Sequence, residues 1–334
     1  MTDSDRLEAG VEAAKDQNDW DGFAKRFRTI QDNIEKVVQG KSREVRLALV
    51  ALVAEGHVLI EDVPGVGKTL LAKALARSID CSFRRIQFTP DLLPTDVTGV
   101  NVFNQERGDF EFKPGAIFAN IVLADEINRA SPKTQSALLE CMEERQVTVD
   151  TETYQLGSPF MVIATQNPIE HEGTYPLPEA QLDRFIMRIH VGYPGSEAEF
   201  GILATHGYHS TLDDLEPVAD AMAVADLAVQ AREVHVAPAL RRYIVSLAET
   251  TRRHPDIYLG ASPRASIMLL RASRAQAAAD GREYVVPDDL KDLAVPVLAH
   301  RLIVTADAAM SGRDGASILS EILTDVSVPV RGEA

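Results

Sequence analysis

The sequence predicts an α/β fold, with a parallel sheet flanked by helices, followed by a C-terminal domain built of helices. Up to Pro194, short apolar runs alternate with helix-like segments, as expected for strands that are buried on both faces. After Pro194, strand-like runs nearly vanish and apolar residues recur at helical spacing. We therefore expect an N-terminal helical segment over 1–40, an α/β core over 41–194 and a helical domain over 195–334.

The composition predicts a globular protein with a large core, because 45% of the 334 residues are hydrophobic and 25% are charged. No apolar run approaches the ~20 residues that a membrane-spanning helix needs. The first residues lack the basic and apolar regions of a signal peptide, so we expect a cytoplasmic protein without membrane insertion. The two cysteines, Cys81 and Cys141, lie in apolar surroundings and are expected to be reduced thiols.

The net charge of −16 disfavours nucleic acid as a partner, since the averaged surface repels a phosphate backbone. Two basic pairs, Arg84-Arg85 and Arg241-Arg242, are interpreted as solvated edges of a strand and a helix. The eight histidines are scattered and form no metal-ligand spacing with cysteine or acidic residues.

The predicted elements follow in order along the chain. A first helix is expected over about 5–39, from apolar residues at helical spacing, and ends near Gly40; these residues are Phe23, Phe27, Ile30, Ile34 and Val37. A second helix is expected over 42–54. Core strands are expected over 56–61, 83–88, 120–124, 159–164 and 186–190, and helices of the last domain over 223–233, 237–253, 262–279 and 287–300.

Two segments with alternating apolar residues predict hairpins inserted into this scheme. The first covers 100–112 around a turn at Arg107-Gly108-Asp109, and the second covers 146–156. Neither pattern suits a central strand of the sheet, so each hairpin is expected to project from it. Without other evidence, such an insertion is more often a surface hairpin that has no function.

A glycine-rich turn joins the strand at 56–61 to an apolar helix and is typical of a phosphate-binding loop. Gly65 and Gly67 would let backbone N–H groups converge on phosphate oxygens at the positive end of the helix. Lys68 would place a charge near the β- and γ-phosphates, and the Thr69 hydroxyl would ligate Mg²⁺. Asp62 stands where the general pattern has glycine. The alternative is an ordinary turn with an exposed lysine.

Polar residues follow two further apolar strands. Asp125 and Glu126 end the run that begins at Ile121, where the first could hold the Mg²⁺ shell and the second could deprotonate the attacking water. Asn167 follows the strand 160–165 and could position that water, although Asn-Pro alone more often marks a plain turn. Because parallel strands end at one edge of the sheet, these residues and the loop should lie together.

Two arginines complete the set of candidate residues. Arg184 ends a short predicted helix over 177–185, where a surface ion pair is the usual role of such a residue. Arg264 follows Ser262-Pro263 in the first turn of a helix, where the helix dipole disfavours a cation. An anionic ligand such as a nucleotide phosphate would resolve that conflict.

These motifs together resemble the AAA+ ATPases and, within them, the MoxR family. The resemblance covers nearly the whole chain and is carried by the segments 61–69, 112–118, 124–130, 164–168, 178–185 and 261–265. Asp62 matches the MoxR version of the loop. The resemblance implies a P-loop AAA+ core with a helical lid, ATP and Mg²⁺ as cofactors, and an ATP-hydrolysing enzyme.

The resemblance also implies roles for individual residues. Asn167 is expected as sensor 1, Arg264 as sensor 2 and Arg184 as an arginine finger that acts on a neighbouring subunit's ATP. Arg129 is a second interface arginine or, equally, a structural ion-pair partner. The nucleotide is expected to contact Val38, Gly40, Asp62, Val63, Pro64, Gly65, Val66, Gly67, Lys68, Thr69 and Leu70, with Thr69 and Asp125 on the metal.

The implied assembly is a homo-oligomeric ring, commonly a hexamer. In such a ring the hairpins resemble the helix-2 insert and pre-sensor-1 hairpin of the branch that includes magnesium-chelatase subunits. The implied work is chaperone-like remodelling, activation or metal loading of a client protein, often with a partner that bears a von Willebrand A domain. Two rivals stay open: a nucleotide-dependent binding switch with negligible turnover, and a nucleic-acid motor. The pair Glu126 and Arg184 argues against the first, and the net charge against the second.

Overall fold

A computed structural model describes residues 19–168, 174–205 and 212–328. The α/β part contains the following helices and strands: α1 (Trp20–Glu35), α2 (Ser42–Val53), β1 (Val58–Glu61), α3 (Lys68–Ser78), β2 (Phe83–Gln87), α4 (Pro94–Thr98), β3 (Gly99–Asn104), β4 (Asp109–Pro114), β5 (Ile121–Asp125), α5 (Pro132–Glu144), β6 (Gln146–Val149), β7 (Glu152–Gln155), β8 (Met161–Gln166), α6 (Glu179–Leu182) and β9 (Met187–Ile189). A 3-10 turn, Ile127–Arg129, follows β5.

The second part is mainly helical, as predicted. It contains α7 (Ser196–Thr205), α8 (Ala221–Arg232), α9 (Pro238–Arg253), β10 (Ile257–Leu259), α10 (Pro263–Ala279), α11 (Pro287–Leu298), a 3-10 turn (Ala299–Arg301), β11 (Ile303–Val304), α12 (Ala306–Met310) and α13 (Gly315–Asp325). Among the described residues, this domain also contains three helices that were not predicted, α7, α12 and α13, and the short antiparallel pair β10–β11.

The central sheet has five strands in the order β2-β5-β8-β1-β9, and every neighbouring pair is parallel. The three inner strands carry continuous apolar runs that are almost wholly buried. This burial explains why the core strands lack an alternating pattern. All five strands therefore end at one edge, which we call the carboxyl edge, and begin at the opposite edge, which we call the amino edge.

Helix α1 begins at Asp19, whose side chain caps Gly22 N at 2.8 Å, and it buries one apolar stripe. That stripe packs against α2 and α3 of the core and against α10 of the helical domain. The predicted start of this helix near residue 5 lies outside the described residues. Within the described ranges, no helix is both long and apolar enough to span a bilayer.

Both predicted hairpins are present as separate two-stranded sheets, β3–β4 and β6–β7. They lie against each other through the rings of Phe112 and Tyr154, which stack at 3.9 Å, and through a 2.7 Å hydrogen bond from Asn101 to Asp150. Further along the first hairpin, the cross-strand pair Phe103 and Phe110 is 51% and 71% exposed. The hairpins therefore form one projecting unit with aromatic side chains on its surface.

Candidate active site

The loop between β1 and α3 has the backbone that a phosphate-binding turn needs. Gly65 and Gly67 have φ values of +86° and +92°, a region that L side chains rarely adopt. A Cβ at either position would meet nothing within 4 Å, so the space above the loop is open. Gly67 caps the first turn of α3, and Lys68 Nζ donates to the Asp62 carbonyl at 2.7 Å. The loop therefore presents backbone N–H groups, a helix N-terminus and a cation to the same open space.

Asp62 has a structural reason to stand where the general pattern has glycine. Its Oδ1 accepts from Val63 N at 2.8 Å, and its Oδ2 accepts from Gly192 N at 2.5 Å. Its own N–H donates to Gln166 O at 3.1 Å. The aspartate thus fastens the start of the loop to the end of β8 and to the segment that follows β9.

The remaining residues of the loop divide into an exposed tip and a buried base. Pro64 and Gly65 are exposed, Val66 is buried, and Val63 and Leu70 pack against the main core. Thr69 lies in the first turn of α3, as predicted.

Val38 and Gly40, the first two residues expected to contact the nucleotide, precede α2. Val38 is buried and belongs to the main core, and Gly40 has a φ of +70°. The next residue, Lys41, donates through Nζ to the carbonyls of Val191 at 2.5 Å and Tyr193 at 2.8 Å. This places the 38–41 turn beside the same segment that Asp62 contacts.

The two acids at the end of β5 share a hydroxyl partner on β8. Asp125 is buried, and its Oδ1 accepts from the Thr165 hydroxyl at 2.6 Å. Glu126 has a φ of +56°, and its N–H donates to Thr165 Oγ1 at 2.8 Å. Asn167, which is also buried, comes two residues after Thr165 at the same edge. The structure thus brings the phosphate loop, both acids and Asn167 to the carboxyl edge.

Both acids are also held by side chains from neighbouring segments. Asp125 Oδ2 accepts from Arg85 Nη2 at 2.5 Å. Glu126 Oε2 accepts from Gln87 Nε2 at 2.8 Å and from Arg129 Nη1 at 2.9 Å. Arg129 therefore forms an ion pair within the chain, which is one of the two roles expected for it.

Arg85 is exposed on the outer strand β2, as interpreted from the sequence. Its side chain is 48% exposed and also pairs with the buried Asp125, a contact that the sequence did not predict. Sequence analysis also missed Gln87 and Thr165. The alternation of residues along β2 could have indicated Gln87 and the contact of Arg85. These two polar side chains are two residues apart, so they lie on the same face of a strand whose neighbour β5 ends in acids.

Oxygen donors at this edge suit Mg²⁺. A carboxylate from Asp125 and a hydroxyl from Thr69 are ligand types that Mg²⁺ prefers, and phosphate oxygens and water commonly complete its shell. Among the described residues, no cluster of three or more histidine, cysteine or acidic side chains could hold a metal by itself. The residues therefore fit a metal that is bound together with a nucleotide.

Arg184 and Arg264 lie at the amino edge, away from this chain's own phosphate loop. Helix α5 begins after β5 and runs back to the start of the sheet, where Glu143 lies in its last turn. Glu143 pairs with Arg264 at 2.8 Å and with Arg184 at 3.2 Å. The anion beside Arg264 in this chain is therefore Glu143, and contact of Arg264 with a nucleotide phosphate stays a prediction.

A buried ion pair fixes the segment that carries Arg184. Asp183 accepts from Arg301 Nε at 2.7 Å and from the Ser262 hydroxyl at 3.0 Å. Ser262 is the N-cap of α10, the helix that bears Arg264. Burial lowers the pKa of Arg301 to about 10, although the hydrogen bond to Asp183 opposes that shift. Asp183 thus joins the helical domain to the backbone of the core next to Arg184.

The amino edge carries an excess of positive charge. A cavity of about 100 Å³ is lined by Arg145, Arg184, Arg264 and Arg271, together with Glu55, Glu143 and His57. Burial alone would raise the pKa of the Glu55 carboxyl, but hydrogen bonds from two arginines, one of them Arg145, outweigh burial and lower it. Four arginines against two glutamates leave a net charge of +2 around the cavity.

His57 is a structural residue of this edge. Its Nδ1 accepts from Val162 N, and its Nε2 lies 2.9 Å from the Met142 carbonyl, which only a protonated Nε2 can satisfy as a donor. Burial lowers the pKa of His57 to about 4, so the ring is neutral at pH 7.

Comparisons with known proteins agree with this architecture. Residues 57–187 match the model of the ATPase family associated with various cellular activities, and residues 249–322 match the AAA lid domain. A crystal structure from Cytophaga hutchinsonii ATCC 33406, described as a candidate ATPase, superposes with a TM-score of 0.87 and is 38% identical, covering 96% of this chain and 99% of that one.

Two curated relatives extend over nearly the whole chain. The uncharacterized protein YeaC of Bacillus subtilis strain 168 is 50% identical over 91% of this chain and 95% of its own length. Chaperone MoxR1 of Mycobacterium tuberculosis H37Rv is 41% identical over 92% of this chain and 85% of its own length. With the phosphate loop, the paired acids and the helical lid described above, this similarity shows that the chain belongs to the MoxR family of AAA+ ATPases.

Proposed function

We propose that this ATPase works as a head-to-tail ring, in which each Mg²⁺-dependent ATP site lies between two copies, and that the ring remodels client proteins in the cytoplasm. The observation that carries the proposal is the separation of the site into two halves. The phosphate loop and the acids lie at the carboxyl edge, whereas Arg184 and Arg264 lie at the amino edge. A repeating contact of one edge with the other would complete a site at every interface.

In this proposal the carboxyl edge binds the nucleotide and activates water. The N–H groups of the loop and Lys68 hold the phosphates, while Thr69 and Asp125 hold Mg²⁺, which would neutralise charge on the phosphate oxygens. Glu126 accepts the proton of the attacking water, and Asn167 orients that water. Arg184 and Arg264 of the next copy then stabilise the charge that develops on the γ-phosphate.

Gln87 and Arg129 give this edge a means of control. Both donate to Glu126 Oε2, so that oxygen is engaged until at least one of them moves. The same observation favours a second candidate, a nucleotide-dependent binding switch that turns over very slowly. Phosphate release distinguishes the two functions, because a motor releases phosphate repeatedly when it is assembled and a switch does not.

The test is phosphate release as a function of protein concentration, with and without Mg²⁺. Activity per chain should rise steeply with concentration, because the ATP site of a copy without a neighbour is not reached by Arg184 and Arg264 of a second copy. Glu126→Gln should bind ATP and release almost no phosphate, while Lys68→Ala should lose nucleotide binding. Activity per chain that is constant over the concentration range of assembly would reject the shared site.

The client is proposed from the relatives and from the projecting hairpins. A relative that is named a chaperone supports remodelling of proteins, and exposed Phe103 and Phe110 offer an apolar surface for a client segment. Glu126→Gln in ATP should hold a client long enough for capture. Recovery of a protein with a von Willebrand A domain would support activation or metal loading of the client. The expected ring is a hexamer.

A further inference from the structure

One carboxylate at the amino edge holds both arginines that the proposed function assigns to a neighbour's nucleotide. Glu143 Oε1 pairs with Arg264 Nη1 at 2.8 Å, and Glu143 Oε2 pairs with Arg184 Nη2 at 3.2 Å. The two guanidinium groups therefore converge on the two oxygens of one small anion. Guanidinium groups bind carboxylate and phosphate oxygens in the same fork geometry.

The arginines are anchored independently of Glu143. Arg184 Nη1 donates to the Leu139 carbonyl at 2.5 Å, and the backbone beside it is fixed by the pair of Asp183 with Arg301. Arg264 lies in the first turn of α10, whose N-cap also contacts Asp183. Loss of Glu143 would therefore leave the Arg184 side chain anchored and the backbone of Arg264 in place.

The surroundings favour an additional anion. The cavity beside Glu143 has a net charge of +2, and the side chain of Glu143 is 36% exposed, so it has room to swing away. Arg184 and Arg264 are 27% and 37% exposed, which leaves part of each guanidinium group accessible from outside the chain.

We propose that Glu143 is a positioning residue that occupies the place of the γ-phosphate of a neighbouring copy. It holds Arg184 and Arg264 at the spacing that one phosphate requires, and it is displaced when a nucleotide-loaded neighbour docks. The inference rests on the proposed function, because it needs the two arginines to act between copies. Its consequence is that assembly in ATP competes with an internal ion pair.

Glu143→Gln tests this competition, because the amide keeps the shape of the side chain and loses its charge. In the Glu126→Gln background, which separates assembly from hydrolysis, we expect the midpoint concentration of ATP-induced assembly to fall about threefold to tenfold, as expected for release of two partly exposed ion pairs. Sedimentation velocity with and without ATP measures the midpoint. Assembly without ATP should stay unchanged, which a general structural change would not produce.

Glu140→Gln is the matched control, since it removes the same charge from the same helix. Glu140 is exposed, and among the described residues it has no ion pair with Arg184 or Arg264. The effect of Glu143→Gln should become smaller when Arg184 is replaced by glutamine and vanish when Arg184 and Arg264 are both replaced, because Glu143 pairs with both arginines.

Three results would overturn the inference: an unchanged or raised midpoint in Glu143→Gln, an equal shift in Glu140→Gln, or a shift of full size in a chain that lacks both Arg184 and Arg264. If the parent chain assembles normally in ATP, any of these results rejects the role of Glu143 and leaves the proposed function standing. A parent chain that never assembles in ATP rejects the proposed function together with the inference.

Discussion

The two edges of the central sheet differ in charge and in chemistry. The carboxyl edge carries the residues that we propose to bind phosphate and to activate water, and its acids are matched by Arg85 and Arg129. The amino edge carries more arginines than acids and no phosphate loop. In the proposed ring, this difference means that the two halves of each hydrolytic site come from opposite edges of two copies, so each edge needs a partner.

The strongest test of this comparison breaks one edge at a time. Lys68→Ala removes the phosphate half and Arg184→Ala removes the arginine half, and each should lower phosphate release by about 10³-fold. An equal mixture of the two proteins should recover about a quarter of the sites if copies assemble at random. Of the four possible neighbour pairs, only one joins an intact phosphate loop to an intact Arg184.

Arg253→Ala serves as the control for removing an arginine. Its side chain is 79% exposed and pairs only weakly with Glu249 at 3.4 Å, so activity should stay within twofold, roughly the scatter expected of surface changes. A mixture that stays as inactive as its components would contradict a site shared between copies.

The next effect concerns the rigidity of the amino edge. Asp183→Ala leaves the Arg301 side chain, which is 2% exposed, without its carboxylate partner. The free energy of unfolding should fall by about 3–5 kcal/mol, because an unpaired buried charge is costly. Urea unfolding followed by circular dichroism measures the change. The double variant Asp183→Ala/Arg301→Met should lose less, and equal losses would show that the pair itself is unimportant.

A smaller effect concerns pH and again belongs to the amino edge. The folded-state pKa of His57 is about 4, below the unfolded value near 6.5, so the unfolded chain binds more protons between these pH values. Stability is therefore fully present above pH 6.5 and is lost as pH falls toward 4. Between pH 7.5 and 5, this histidine should contribute a loss of about 2 kcal/mol.

His57→Gln should reduce that pH dependence by about the same amount, as measured by urea unfolding at the two pH values. His300, whose pKa burial also lowers, should still contribute a loss in the same direction. An unchanged pH dependence in His57→Gln would mean that the ring is not buried in its neutral form.

The smallest effect concerns the carboxyl edge. Asp62→Ala removes two accepted hydrogen bonds that fasten the phosphate loop, so ATP affinity should fall about tenfold, as expected for the loss of one to two hydrogen bonds. Titration with a fluorescent ATP analogue measures the affinity. Asp62→Asn keeps one acceptor oxygen and should lose less. Full affinity in Asp62→Ala would show that the loop holds its shape without this side chain.

The sequence was sufficient to predict the sheet, the hairpins and the helical domain. The inner strands are continuous apolar runs, and their polar residues follow where parallel strands must end, so Asp125, Glu126 and Asn167 could be placed at one edge from their positions alone. Asp62 could be aligned with a family pattern, but its bond to Gly192 depends on a segment 130 residues away. Nothing in the sequence around Asp62 indicates that these two segments are in contact.

Side-chain partners at the amino edge could not be predicted for a similar reason. Arg184, Arg264 and Glu143 come from three separate segments, and their meeting depends on how the helical domain packs against the start of the sheet. The dipole argument for Arg264 correctly required an anion, but it could not tell a carboxylate of the same chain from a phosphate. The exposure of Arg85 was predicted but its pairing with Asp125 was not, because the sequence of one strand does not show which side chain lies beside it on the neighbouring strand.

Strand β1 has one further consequence. Its four residues, hydrogen-bonded to β8 and β9, directly connect the cavity that contains His57 to the phosphate loop, a span of about 13 Å. An extended strand that is hydrogen-bonded on both sides keeps its length, so β1 fixes the distance between the two edges. Changes in the loops, the hairpins or the lid would leave this distance unchanged. A single residue inserted into β1 would instead shift one edge relative to the other.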